Sequence, residues 1–154
     1  AACLADDLGY RSAPLISPGM YRDLVQPHHR RACQHFAADG LPTILHSDGD
    51  VRLLIPHFLE AGFCCLHPLE VKAGLDVAAL KAQYGKALVC FGNIDARVLA
   101  GSRRQIEAEV RAKLAAGMRD GGYIFHTDHS VPADVPFASY RYARELLAEY
   151  GRYE

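Results

Sequence analysis

The sequence lacks the features that point to a nucleic-acid, membrane or exported protein. Its 154 residues include 17 basic and 18 acidic side chains, a net charge of −1, whereas a nucleic-acid binder needs a basic surface to neutralise phosphates. No apolar run approaches the roughly 18 residues of a membrane span, and no basic segment opens the chain as in a signal peptide. We therefore expect a cytoplasmic protein with no nucleic-acid or membrane partner.

The five cysteines lack the spacing of a disulfide framework or of a cysteine-type zinc site. Their number is odd and no Cys-x-x-Cys pair occurs among Cys3, Cys33, Cys64, Cys65 and Cys90. We expect reduced cysteines that act as small apolar core residues. The common nucleotide-binding, esterase and metalloprotease motifs are missing too.

What the sequence does contain is an alternation of short apolar runs and helical segments. Apolar residues make up 50% of the chain and charged residues 23%, enough to bury a core. The runs are continuously apolar, as in strands covered on both faces, and this order predicts a parallel α/β sheet. The predicted strands are Cys3–Ala5, Thr43–Leu45, Phe63–Leu66, Ala87–Phe91 and Tyr123–Phe125.

Capping residues predict where the helices begin and end. The predictions are a helix over Met20–Ala38 after Ser17-Pro18; one capped by Asp50 that runs through Ala61 and closes at Gly62; one from Asp76 to Tyr84; one from the Ser102/Gln105 capping box to Ala116, closed by Gly117; and one over Phe137–Tyr150.

Each predicted strand runs into polar residues. The carboxyl ends of parallel strands meet at one edge of a sheet, where α/β proteins bind ligands, so these residues are expected to share a site. Helix capping is the alternative for the acidic residues, and we predict a solvated helix face for His28, His29 and His35. The strand-end residues are Asp6, Asp7, His46, Asp48, His67, Glu70, Asn93, Asp95, His126 and Asp128.

Two His-x-Asp pairs are the sharpest features. His46 and Asp48 are expected to share a face, as are His126 and Asp128, because side chains alternate along a strand. With His129, the first pair makes a set of two histidines and one carboxylate, which suits Zn²⁺ or another divalent metal. A hydrogen-bonding network that positions an organic acid is the alternative.

Six segments together resemble the uroporphyrinogen decarboxylase superfamily. They are Asp6-Asp7-Leu8-Gly9, Pro14-Leu15-Ile16-Ser17-Pro18, His46-Ser47-Asp48-Gly49-Asp50, Pro68-Leu69-Glu70, Gly92-Asn93-Ile94-Asp95 and Gly121-Gly122-Tyr123-Ile124-Phe125.

The resemblance implies a (β/α)8 barrel, of which the five strands correspond to the last five. Such a barrel typically needs about 250 residues, so we expect residues 1–154 to be the C-terminal part of a single barrel domain. Five strands leave two unpaired edges. The expected outcome is an open half-barrel or a homo-oligomer that covers its edges.

The superfamily includes the haem-pathway decarboxylase and cobalamin-dependent methyltransferases. The methyltransferases bind zinc through a His-x-Cys and a later Cys; here His46 matches the histidine, while Asp48 and His129 stand near the cysteine positions. The resemblance thus implies a corrinoid-linked methyltransferase whose metal acts on a methoxy or methylamine substrate, with a corrinoid protein as partner.

The alternatives are a tetrapyrrole decarboxylase, which needs no cofactor, and a binding domain without chemistry. For a small-molecule substrate, the expected catalytic residues are Asp7, Glu70, His126 and Asp128, and the expected substrate-binding residues are Asp6, His67, Asn93 and Asp95.

Overall fold

The computed structural model describes residues 1–153, which form one open sheet of five parallel strands in chain order. This confirms the predicted α/β fold class. The strand ends lie within two residues of the predicted ones; Ala87, for example, lies in a 3₁₀ turn before the fourth strand. The strands are β1 (Ala2–Ala5), β2 (Thr43–His46), β3 (Cys65–His67), β4 (Val89–Phe91) and β5 (Tyr123–Ile124).

The helices lie between the strands in the predicted order. None of those formed by residues 1–153 combines the length and the apolar character needed to cross a membrane. Short 3₁₀ turns occur at Val71–Ala73, Gly85–Ala87 and Val98–Ala100. The helices are α1 (Pro18–Met20), continued through a π-helical segment (Tyr21–Val25) into α2 (Gln26–Ala38), then α3 (Ile55–Ala61), α4 (Val77–Tyr84), α5 (Arg103–Gly117) and α6 (Phe137–Tyr150).

Three predicted N-terminal caps are confirmed. The Ser17 hydroxyl accepts from the Met20 N–H, Asp76 caps α4, and the capping box of Ser102 and Gln105 opens α5. Each satisfies an N–H that the first turn leaves without a helical partner.

Two helix ends differ from the predictions. Asp50 does not cap α3, which begins five residues later; its carboxylate instead binds Arg52, whose guanidinium donates at 2.7 Å. Gly117 is the last residue of α5 and Met118 is its C-cap, one residue later than predicted. An added Cβ at Gly117 would come within 2.6 Å of the Tyr123 ring, so the glycine permits close packing of α5 on β5.

The two faces of the sheet differ in what covers them. Leu45, Leu66, Cys90 and Tyr123 are neighbours across β2 to β5 and are all buried within the core cluster. The opposite face includes His46 and His67, which are only half-buried. Side chains of the strands therefore separate into a covered apolar face and an open face that ends in polar residues.

The cysteines are all free, as expected. Burial raises the pKa of Cys65 to about 12 and that of Cys90 to about 11, which keeps both as thiols at neutral pH. Cys33 is also buried. Cys3 was wrongly placed in the core: it is exposed on β1, the edge strand.

Candidate functional site

A row of aromatic rings follows the carboxyl ends of the strands. His46 and His67 are direct neighbours on β2 and β3, and their Nδ1 atoms lie 2.8 Å apart in a hydrogen bond. The His67 ring centre is 4.5 Å from that of Phe91 and 5.1 Å from that of His126. The parallel sheet thus brings together histidines from three predicted strand ends.

The hydrogen bonds of these rings indicate where their protons lie. The Nδ1–H of His126 donates to the Thr127 carbonyl at 2.7 Å, which leaves its Nε2 to carry a lone pair when the ring is neutral. Burial, with His126 and His46 as neighbours, lowers the pKa of His67 to about 4. His67 is therefore neutral at neutral pH.

Asp7, His46 and Asp48 form a compact group of possible metal ligands. One ligand atom from each lies within 4.8 Å of the others. The Asp48 N–H donates to Asp7 Oδ1 at 3.0 Å, and His46 Nε2 is 3.7 Å from the same oxygen. This set shares two residues with the predicted one, but Asp7 takes the place given to His129.

One oxygen of the Asp48 carboxylate lacks a hydrogen-bond partner within the described residues. This oxygen, Oδ1, is also buried, a costly state for a charged oxygen. The other oxygen, Oδ2, is 3.8 Å from His129 Nε2, so His129 flanks the group. Carboxylate oxygens and an imidazole nitrogen suit zinc and related divalent ions; the residues present fit a metal.

Close backbone contact fixes the loops that carry the two aspartates. A Cβ added at Gly9 would overlap the Asp48 carbonyl oxygen. Gly49 faces Gly9 and has φ +81°, a conformation that glycine adopts without strain. The Asp50 N–H also donates to the Tyr10 carbonyl at 2.6 Å. The β1 and β2 ends are therefore held against each other without intervening side chains.

Two cavities open beside this group, and Asp48 lines both. The first is about 340 Å³ and is lined by His46, Asp48, His67, Pro68, His126, Thr127, His129, Ser130 and Val131. The second is about 560 Å³ and is lined by Gly9, Tyr10, Arg11, Asp48, Gly49, Glu70, Lys72 and Ala73.

Glu70, expected to be catalytic, is buried at the second cavity and is used in two contacts. Its Oε2 accepts from the Gly49 N–H at 2.8 Å, and its Oε1 is 2.8 Å from Lys72 Nζ. The hydrogen bond from Lys72 to Glu70 raises the pKa of the lysine. Glu70 thereby braces the turn after β2.

Asp128, expected to be catalytic, lies just past β5, which ends at Ile124. Strand-like pairing continues here, because Thr127 forms a parallel bridge with Ile94. The buried Asp128 carboxylate accepts from the N–H groups of Val71 and Ala96, at 3.0 and 2.9 Å. It joins the segments that follow β3 and β4.

Asn93 and Asp95, expected to bind substrate, line neither cavity. Asn93 is fully buried. Its amide donates to the Leu69 and Leu75 carbonyls and its oxygen accepts from the Val77 N–H and from Lys113, so all four of its hydrogen-bonding positions are used. Asp95 pairs with Arg97 at 2.7 Å.

The prediction of a solvated face for His29 was wrong. His29 is buried and binds both Tyr21 and Asp6, at 2.9 and 3.1 Å. The basic side chains of its helix had suggested an exposed face, but His29 lies on the inward face of α2 with Gln26 and Cys33. The neighbouring His28 is exposed as expected.

Three further residues were missed at the second cavity: Tyr10, Arg11 and Lys72. They are neither acidic residues nor histidines, the residue types on which the predicted site depends. The available signal was their position in the loops that follow β1 and β3, because such loops form the ligand-binding edge of parallel sheets.

Comparisons with known proteins agree on the family of folds. Residues 1–150 match the family model described as uroporphyrinogen decarboxylase (URO-D). A curated uroporphyrinogen decarboxylase from Saccharopolyspora erythraea is 32% identical over 141 residues, which cover 86% of this chain and 38% of the relative. Another from Salinispora tropica is 34% identical over 119 residues, which cover 77% of this chain and 31% of the relative.

A solved structure of a methyltransferase from Methanosarcina mazei is similar in fold. The TM-score is 0.69 at 20% identity, and the match covers 97% of this chain and 42% of that chain. The chain thus spans about two fifths of the solved structure and a similar share of the first curated relative.

Proposed function

The chain belongs to the uroporphyrinogen decarboxylase family, and we propose that Asp7, His46 and Asp48 at its strand ends bind a divalent metal ion that takes part in methyl transfer. Zinc is the first candidate for this ion. One observation carries the proposal: three ligand atoms converge within 4.8 Å beside a buried Asp48 oxygen that has no partner among residues 1–153. A positive ion would satisfy that oxygen.

His67 prepares His46 for this role. If the His46 Nδ1–H donates to His67 Nδ1, the lone pair of a neutral His46 lies on Nε2, which is 3.7 Å from Asp7 Oδ1. A ligating histidine commonly donates its second N–H in this manner, which fixes the ring. The neutral state of His67 leaves its Nδ1 free to accept.

The remaining residues bind and orient a small substrate. When bound, the metal supplies Lewis-acid polarisation of a methoxy oxygen or a methylamine nitrogen. His126 and His129 line the same 340 Å³ cavity as His46 and Asp48, where His126 Nε2 would pass a proton to the oxygen or nitrogen that loses its methyl group. The proposed methyl acceptor is a corrinoid carried by a partner protein at the open edge of the strand ends.

Decarboxylation of a tetrapyrrole is the second candidate, favoured by the names of curated relatives at 32% and 34% identity. It requires no cofactor, because a pyrrole ring can accept the proton and the electron pair. Arg11 and Lys72 at the second cavity offer positive charge to substrate carboxylates, and the strand-end histidines would move protons.

Zinc titration by calorimetry tests the metal site. We expect one zinc per chain, with binding weakened at least about tenfold in Asp48→Asn and His46→Gln. The matched controls are the exposed Asp39→Asn and His35→Gln, which should bind zinc like the parent chain. Lack of stoichiometric zinc, or equal affinity in all four variants, would contradict the proposal.

The two reactions are separated by parallel assays. Transfer of a methyl group from methanol, methylamine or methoxybenzene to free cob(I)alamin supports methyl transfer, provided that a chelator abolishes it. Conversion of uroporphyrinogen to coproporphyrinogen that resists the chelator selects decarboxylation instead.

A further inference from the structure

A chain of hydrogen bonds runs from the buried Tyr21 and His29 to Asp6, a half-exposed residue at the end of β1. The Tyr21 hydroxyl is 2.9 Å from His29 Nδ1, and His29 Nε2 is 3.1 Å from Asp6 Oδ2. An ionised carboxylate only accepts, so His29 Nε2–H is the donor to Asp6. In a neutral ring Nδ1 then accepts from the Tyr21 hydroxyl. Each donor therefore points the same way, from Tyr21 through His29 to Asp6.

The surroundings keep both rings neutral. Tyr21 is fully buried and the His29 side chain is 8% exposed. Phe58 and Phe63 pack edge-on against Tyr21 and His29, with ring centres 5.3 and 5.1 Å apart. Burial raises the pKa of Tyr21, and it lowers the pKa of His29 even though Asp6 opposes that shift.

Asp6 connects this chain to the strand ends. Its side chain binds α2 through His29, while its backbone N–H donates to the His46 carbonyl at 2.9 Å. The next residue, Asp7, accepts from the Asp48 N–H. A single peptide unit therefore separates the anchored Asp6 from the carboxylate of the metal-binding group.

Tyr21 belongs to an irregular part of the helix. Tyr21 begins the segment Tyr21–Val25, which inserts a wider turn before α2. Such irregular turns cost stability relative to a regular α-helix and recur at functional sites.

We propose that Tyr21 and His29 are positioning residues: through Asp6 they fix the end of β1, so that the Asp7 carboxylate stays beside His46 and Asp48. That this positioning serves metal binding rests on the proposed function. The coupling of His29 to Asp7 and Asp48 is testable without a metal.

The zinc affinity of matched variants tests whether this positioning serves metal binding. His29→Leu should weaken zinc binding about tenfold or more, the usual effect of losing an outer partner of a metal site. His29→Gln, which retains a donor for Asp6, should restore most of the affinity, and Tyr21→Phe should cause a smaller loss. The exposed neighbour His28→Leu is the control and should change nothing. Equal affinity in His29→Leu and His28→Leu overturns the proposal.

The backbone amide resonance of Asp48 tests the coupling in metal-free protein, with Asp7→Ala, which removes the acceptor, as the reference change. His29→Leu should shift this resonance in the same direction as Asp7→Ala, and His28→Leu should leave it in place. A shifted resonance without zinc binding in the parent chain sinks the proposed function but supports the coupling. Zinc binding with an unmoved resonance in His29→Leu supports the function and sinks the coupling.

Discussion

The backbone N–H of Asp48 donates a hydrogen bond to Oδ1 of Asp7, at 3.0 Å and across 41 residues of sequence. This contact joins the loops that follow β1 and β2. The Asp7 carboxylate is thereby oriented by the backbone of Asp48, the other acidic residue of the group. Because Asp7 uses only one oxygen for this contact, the second remains available to a cation.

Replacing Asp7 separates its structural contact from its charge. Asp7→Asn retains an oxygen that accepts from Asp48, so we expect the free energy of unfolding to change by less than about 0.5 kcal/mol. Zinc affinity should nevertheless fall at least about tenfold. Asp7→Ala should lower both the free energy of unfolding and the zinc affinity, since it removes the acceptor and the charge. Urea unfolding and calorimetric titration of the two variants measure these effects; equal zinc binding in Asp7→Asn and the parent chain contradicts the expectation.

Gly9 should not tolerate a side chain. Gly9→Ala would push a methyl group into the Asp48 backbone, so we expect at least about 2 kcal/mol of destabilisation, together with weaker zinc binding. Gly19→Ala is the matched control, because its nearest neighbouring atoms are 3.8 Å away and it lies in a helix. Denaturant unfolding of both variants checks this. Similar stability for the two would show that the loops can separate freely.

Asn93 should be important for stability. Asn93→Ala leaves the N–H of Val77 and the carbonyls of Leu69 and Leu75 without this partner, and we expect a loss of roughly 2–4 kcal/mol. Asn93→Asp should recover only part of it, because a carboxylate accepts but does not donate. Urea denaturation at neutral pH gives the comparison. A loss below about 1 kcal/mol in Asn93→Ala would argue against this account.

Asp95 should make stability depend on acid. The Arg97 guanidinium beside Asp95 holds the pKa of that carboxyl below its usual value. The unfolded chain therefore takes up the proton first as pH falls through about 4, and the stabilisation present at higher pH is lost progressively below that point.

The test compares Asp95→Asn with the parent chain across that pH range. We expect the variant to be about 1–2 kcal/mol less stable at neutral pH, with the difference shrinking as the solution becomes acidic. Asp39→Asn, at an exposed position, should show no such trend. A difference between Asp95→Asn and the parent that stays constant with pH rules out the charged pair as its source.

Sequence patterns predicted local structure well where one residue type has one physical use. Ser17, Asp76 and the Ser102–Gln105 pair cap helices because their side chains reach N–H groups a few residues away. The helix cap predicted at Asp50 does not form, because its carboxylate accepts hydrogen bonds from the nearby Arg52 instead. Local preference is thus decisive only where no closer partner is available.

The candidate site was predicted in part for a different reason. His46 and His67 could be placed together because parallel strands align their carboxyl ends. The partner of Asp7 lies 41 residues away and that of Asp6 lies 23 residues away. No local pattern distinguishes such contacts, because they depend on how the loops and α2 pack.

The sequence by itself determined the alternation of strands and helices, the family, and the edge at which polar residues collect, since each follows from periodicity, capping and motifs along the chain. Only the tertiary structure decided which of those polar residues face one another. It turned Asn93 and Asp128 into internal hydrogen-bond partners, buried His29 against Asp6, and placed Asp7 beside His46 and Asp48. The physical reason is that buried polar groups must find partners, and the position of each partner is set by the packing of distant segments.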